Sequence, residues 1–195
     1  MVTRDGLESY ANRILRLAQS MLELQNEFPP WFAIHHTIGG KGRWKDFPLP
    51  AGSEGIMNNG DAKRELFGIY RQHVRRTRAD GFLLASDMWQ GKATEEGMKH
   101  VSTGEWDRNV DRGFQKLIAL GWAKVAESIT ITAQTEVDVL LISQPYQRLG
   151  SVIQMANSER FWTPQAQYKG RTKMFGDFSE ENLGENPADQ TTAHS

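Results

Sequence analysis

The sequence contains no cysteine in 195 residues. That excludes disulfides, thiolate metal ligands and a cysteine nucleophile together. No apolar run reaches the length that a bilayer crossing needs. The start, MVTRDGLESYANRI, has neither the basic opening nor the apolar core of a secretory signal, so a cytoplasmic protein without membrane contact is expected. Charge of one sign is lacking as well: 23 Lys and Arg stand against 24 Asp and Glu, a formal net charge of -1. Dedicated nucleic-acid binders carry a strongly basic footprint, so nucleic acid is a weakly supported partner. The regular βαβ alternation of a doubly wound nucleotide-binding fold is also missing.

What the sequence does have is core material. Hydrophobic residues make up 38%, with six Trp and nine Phe, enough to fill one interior at this length. Residues 1–176 are expected to form a single domain. Residues 177–195 hold five acidic residues and no Lys or Arg, and read as a disordered acidic tail. The first 176 residues therefore carry 23 cationic against 19 acidic side chains, a net +4.

Periodicity supplies the elements. Leu7, Ala11, Ile14, Ala18, Met21, Leu22 and Gln25 recur at helical spacing and predict an amphipathic helix over 6–27, stopped by Pro29 and Pro30. WFAIHHTI then alternates as a strand does, and GGKG followed by RWKDFPL predicts a hairpin. A second helix over 61–78 is indicated by Leu66, Ile69, Tyr70, His73, Val74 and Thr77 on one side. Arg64, Arg71, Arg75 and Arg78 fall on another side as a basic stripe. GFLLASDMW predicts a buried strand over 81–89, followed by a polar connection. A third helix is predicted from Asp107, with Val110, Phe114, Leu117, Ile118, Gly121, Trp122 and Val125 on its apolar side. SITITAQTEVDVLLISQPYQ is the strongest strand signal, one long strand or two broken near Glu136, with further antiparallel strands after it. The fold class is α+β: an antiparallel or mixed sheet packed against two or three amphipathic helices and covered by them on one side.

Several short motifs invite chemistry and fail its requirements. Lys41 in IGGKGRW is followed by Gly42 rather than by a hydroxyl, so the stretch is a hairpin turn and not a phosphate loop. His35 and His36 point to opposite faces of a strand and cannot chelate one metal, with His35 expected on the exposed side. DRNVDRG lacks the glycine and glutamate of a calcium loop; Asp107 as a helix cap and Asp111 in the first turn account for its acids. Ser53 in AGSEG has the wrong context for a nucleophile elbow and reads as a flexible connection. No metal and no organic cofactor is expected.

The order helix, PPWFAIHH, DFPLP, basic helix, ADGFLLASDMW and EVDVLLIS resembles small uncharacterised proteins of bacterial and phage genomes. The resemblance spans roughly residues 7–155 and rests on layout and these short pieces, with 91–127 departing from it. It implies no activity, cofactor or site residue.

Two functional expectations follow. The leading one is a binding or regulatory module that contacts a protein or an anionic partner through Arg64, Arg71, Arg75 and Arg78, across which the acidic tail could also lie. Trp31, Trp44, Phe82 and Trp89 are further contact residues if exposed, and an edge strand near 161–169 offers self-association as a homodimer. The alternative is a small hydrolase or nuclease-like enzyme in which Asp87, at the end of an apolar strand, orients the imidazole of His36 as a general base; outside that alternative Asp87 is expected to be a solvated strand end or a partner for one of the arginines.

Overall fold

A computed structural model describes residues 1–48, 60–101, 103–110, 112–169 and 173–175, without the side chains of Pro48, Lys63, Trp89 and Gln90. Ser53, Asp111 and the acidic segment 177–195 lie outside the described residues.

Helix α1 (Arg4–Gln25) buries Leu7, Tyr10, Ala11, Ile14, Leu15, Ala18 and Leu22, an apolar stripe at three- and four-residue spacing. The Thr3 hydroxyl caps its start by accepting from the Gly6 amide at 3.1 Å. Asn26, left-handed at φ 58°, ends it. The two prolines then extend the chain into β1 (Trp31–Ile38), which returns as β2 (Lys41–Pro48). Gly39 and Gly40 at φ 57° and 76° make the two-residue turn whose twist suits a hairpin.

Helix α2 (Gly60–Thr77) leads to β3 (Gly81–Ala93), three short helices α3 (Glu95–Val101), α4 (Glu105–Val110) and α5 (Phe114–Ala119), and then β4 (Ala123–Gln134) and β5 (Asp138–Leu149). Strands β6 (Val152–Met155) and β7 (Glu159–Pro164) and a 3-10 turn over Gln165–Gln167 complete the order. Every strand pair is antiparallel, in the order β2-β1-β3-β4-β5-β6. β7 pairs with the first half of β5, from Asp138 to Ser143, and β6 with its last four residues. The α+β class holds, with the break between the two long strands at 135–137.

The sheet is covered on both faces, not on one as expected. Alternation along β1 sends Ala33 towards α1 and Phe32 and Ile34 the other way, and all three are fully buried. Ala33, Leu83, Ala85, Ile129, Ile131, Leu140 and Ile142 pack under α1. Phe32, Ile34, Phe82 and Leu84 pack against Phe67 and Val74 of α2 and against Met174 and Phe175. A strand that is apolar on consecutive residues needs a layer on each side, and β1 and β3 are of that kind.

Two helix predictions change. The buried line of α2 runs through Phe67 and Val74, flanked by the partly buried Leu66 and Tyr70, whereas Ile69 is 58% exposed. The helix from Asp107 is two separate pieces, because Gly113 at φ 104° breaks the run and β4 has already begun at Ala123. The connection before Asp107, read as polar loop, contains α3. β3 continues to Ala93, pairing with β1 only through residues 81–85 but with β4 over its whole length beyond Gly81. Beyond Trp89 and Glu127, where β4 also leaves β5, residues 90–93 of β3 and 123–126 of β4 project as a two-stranded ribbon with α3, α4 and α5 at its tip.

Candidate anion-binding cleft

The C-terminal end of α2 sits over the end of the sheet where β1 and β3 meet. Its cap is the left-handed kind: the Arg78 amide donates to the Arg75 carbonyl at 3.2 Å and the Ala79 amide to the Val74 carbonyl at 3.0 Å, with Arg78 at φ 51°. Val74 and Ala79, buried at the two ends of this cap, make the apolar contact that accompanies it. A positive φ at this position favours glycine, because a Cβ there meets the following carbonyl. Here the residue is arginine.

Arg75 and Arg78 line a cleft of about 800 Å³ together with Met1, Thr37, Val74, Ala79, Asp80, Glu136, Met174 and Phe175. Of the four stripe residues, only these two come together in it. Arg64 lies 11 residues before Arg75, roughly 16 Å along the helix axis, and forms an exposed ion pair with Asp61. Arg71 is half-buried, and burial, with the nearby charge of Arg75, lowers the proton affinity of its guanidinium. Arg75 and Arg78 are exposed.

The acidic floor of the cleft is already neutralised. Asp80 accepts from the Thr37 hydroxyl at 2.6 Å and from His35 Nδ1 at 2.5 Å, and the N-terminal ammonium of Met1 stands 3.1 Å from its second oxygen. Burial opposes the charge, but the hydrogen bonds from Thr37, His35 and the ammonium outweigh it and bring the Asp80 carboxyl down to about 2. The His35 ring is itself 7% exposed and stacks edge-on against Trp44, with Gly42 on the neighbouring strand so close that a Cβ there would lie 2.5 Å from Nε2. His35, expected on an exposed side, is thus the buried member of the pair. His36, half-buried, faces the α2 side with Phe32 and Ile34.

No protein-family model, curated protein or solved structure matches this chain.

The expected pairing of His36 with Asp87 does not form. His36 lies just past the His35–Gly81 pair at one end of the β1–β3 ladder, and Asp87 lies two residues past Trp31–Ala85 at the other. Seven strand steps separate them, roughly 23 Å at about 3.3 Å per residue, and they project from opposite faces of the sheet. Asp87 instead accepts from the Tyr146 hydroxyl at 2.7 Å and faces Arg148 at 3.4 Å. Burial raises its pKa, and the Tyr146 bond and the Arg148 charge offset that only in part. Arg148 is the hub of this second cluster: its guanidinium also donates to Glu127 at 2.9 Å, to Tyr146 at 2.9 Å and to the Asn26 carbonyl that ends α1 at 2.7 Å. Such a fully engaged arginine ties four elements together.

Sequence reasoning missed the first cluster, and of the second it had only that Asp87 would be a solvated strand end or the partner of an arginine, without saying which. Asp80 precedes the strand residue that pairs with His35, a neighbour visible only once β1 is known to lie beside β3. Arg148 carried a usable signal, since the alternation of Leu140, Ile142, Gln144 and Tyr146 places it next on the same face, although RLGS reads as a turn. Of the expected contact aromatics, Phe82 is fully buried, and Trp31 and Trp44 are partly buried against the α1 cluster. β7 is an outer strand, and Phe161 on it is 61% exposed. Among the described residues no three His, Asp or Glu side chains gather as a metal site, and no helix is long and apolar enough to cross a membrane.

Proposed function

We propose that the protein is a non-catalytic binding module that receives an anionic group of its partner at the C-terminal end of α2. Arg78 carries the reading. A left-handed cap position keeps a guanidinium where glycine is less strained, and that guanidinium shares with Arg75 a cleft in which one of the two carboxylates, Asp80, is occupied by three donors, while the other, Glu136, is exposed. An arginine fork suits a carboxylate or phosphate group with two parallel hydrogen bonds. The cleft is also within the usual size for a ligand pocket.

The test is fluorescence anisotropy of a labelled acidic peptide and a labelled single-stranded oligonucleotide over a salt series, with the unaltered protein, R78G and the R71A/R75A double variant. The expected result is peptide binding that weakens with salt and falls at least tenfold in both variants, with weaker binding of the oligonucleotide. Unchanged binding in both variants removes the arginines from the interface. Oligonucleotide binding that exceeds peptide binding, with the same losses, makes nucleic acid the partner.

A hydrolase built on a His–Asp pair is the alternative, and His35–Asp80 is the pair that has the geometry for it, in place of His36–Asp87. It carries less weight, because the imidazole is packed between Trp44 and Gly42 and does not line the cleft. Ester hydrolysis lost on His35→Gln in a protein that still folds would reinstate it.

A further inference from the structure

We propose that the outer edge of β2 takes up an extended acidic segment of a partner protein as an added strand. This surface is separate from the α2 cleft, which no residue of β2 lines. β2 is the last strand at one end of the sheet, and it pairs with β1 over its full length without a bulge, from Ile38↔Lys41 to Trp31↔Pro48. An antiparallel neighbour on one side uses the N–H and C=O groups of alternate residues, so the other half of the β2 backbone groups point outward. Among the described residues no strand lies beside them. The far end of the sheet is blunted, because β6 has four residues and β7 carries Pro164.

Charge selects the occupant. Trp44 stacks on Tyr10 of α1 at 4.0 Å, whereas Phe47 meets His73 of α2 at 6.0 Å, which fixes the two faces of β2. By alternation Lys41, Arg43 and Lys45 share the face of Phe47, at intervals of about 7 Å. All three are exposed, and the Lys45 ammonium lies 5.0 Å over the Phe47 ring. Arg4, Arg13, Lys92 and Arg160 each have a carboxylate partner; among the described residues these three cations have none. Such a row keeps two copies of β2 from pairing, since like charges would stand opposite one another. It is complementary to a strand with Asp or Glu on alternate residues, whose main chain bonds to the outward N–H and C=O groups. The other face of that strand meets the half-buried Trp44, so uncharged β-branched residues belong between the acids. A single-stranded nucleic acid matches the charge but leaves the outward backbone groups without a ladder. It also binds by stacking on free aromatic faces, and here Tyr10 covers Trp44 and Lys45 covers Phe47.

The experiment is fluorescence anisotropy of the full chain at neutral pH with labelled peptides of the length of β2. One alternates Glu and Thr, one has the same composition with its Glu residues in a block, and one alternates Lys and Thr; a thymidine oligonucleotide is the fourth probe. The Glu–Thr alternating peptide is expected to bind at least tenfold more tightly than the other three. K41E/R43E/K45E is expected to lose it at least tenfold and to gain the Lys–Thr peptide, a gain that only a folded variant can show. R78G is expected to change its binding less than twofold. Hydrogen exchange on the unaltered protein needs no variant: the peptide is expected to slow the outward amides of β2, and unchanged exchange there overturns the proposal. Equal binding of the block isomer overturns strand addition, and tighter binding of the oligonucleotide makes nucleic acid the occupant instead. Loss of the peptide in R78G but not in the charge-reversed variant places it in the α2 cleft, so that this inference falls and the anion-binding reading stands. If the peptide fails to bind while the Arg78-dependent binding described above is found, again only this inference falls.

Discussion

Single residues decide how the end of β1 responds to packing and to pH. Gly42 has no side chain because the His35 ring occupies the space a Cβ would need. Both sit in a paired ladder that cannot shift freely, so Gly42→Ala is expected to cost about 1–3 kcal/mol, the usual range for overpacking, read as a lower midpoint in thermal denaturation. Asp80 and Asp87 have opposite signs. The Asp80 carboxyl, brought down to about 2, favours the folded state above the unfolded value near 3.9, and that stabilisation is lost as pH falls from about 4 to about 2. Asp87 is raised, so its contribution is fully present below the unfolded value and is lost as pH rises through the elevated one. In melts from pH 2 to 7, Asp80→Asn should therefore flatten the acid-side loss of stability, whereas Asp87→Asn should steepen it. Parallel curves for the two variants would contradict this assignment.

At the scale of elements, the cap of α2 and the Arg148 hub make separable predictions. Glycine at position 78 relieves the left-handed strain, so R78G is expected to gain about 1 kcal/mol and roughly 2–4 °C in Tm. A variant that becomes more stable while losing its ligand distinguishes a functional arginine from a structural one. Arg148→Met strips the tie between the end of α1 and strands β3, β4 and β5. Breaking a buried ion pair costs about 3–5 kcal/mol; with the guanidinium 27% exposed and so partly screened, about 1–3 kcal/mol is expected in urea denaturation. The elements were largely legible, since α1, the hairpin and the two long strands follow from periods of 3.6 and two. What escaped was phase and neighbourhood. The inner line of α2 adds Phe67 to Leu66, Tyr70 and Val74 of the expected side and leaves Ile69 outside, and the single helix expected from Asp107 had the right apolar spacing but a glycine in the middle of it. The candidate site was legible in half: Arg75 and Arg78 were singled out, but Asp80, Thr37 and Glu136 reach the cleft only through strand pairing that no local pattern encodes.

For the whole molecule, the sheet pairs mostly strands that follow one another in the chain, yet α1 rests largely on strands made much later. Arg4 holds Asp138 through Nε at 2.8 Å, and Arg160 of β7 reaches Glu8 at 3.0 Å. The surface that buries Leu7, Ile14 and Leu22 includes Ile129, Ile131, Leu140 and Ile142. During synthesis on the ribosome, at about 5–20 residues per second, the first helix to emerge has only part of its seat, Ala33 of β1 and Leu83 and Ala85 of β3, until β4 and β5 have left the exit tunnel several seconds afterwards. Its greasy stripe is then the natural target for chaperones, and ribosome-bound chains halted before β5 should leave α1 open to protease while chains extended beyond β7 protect it.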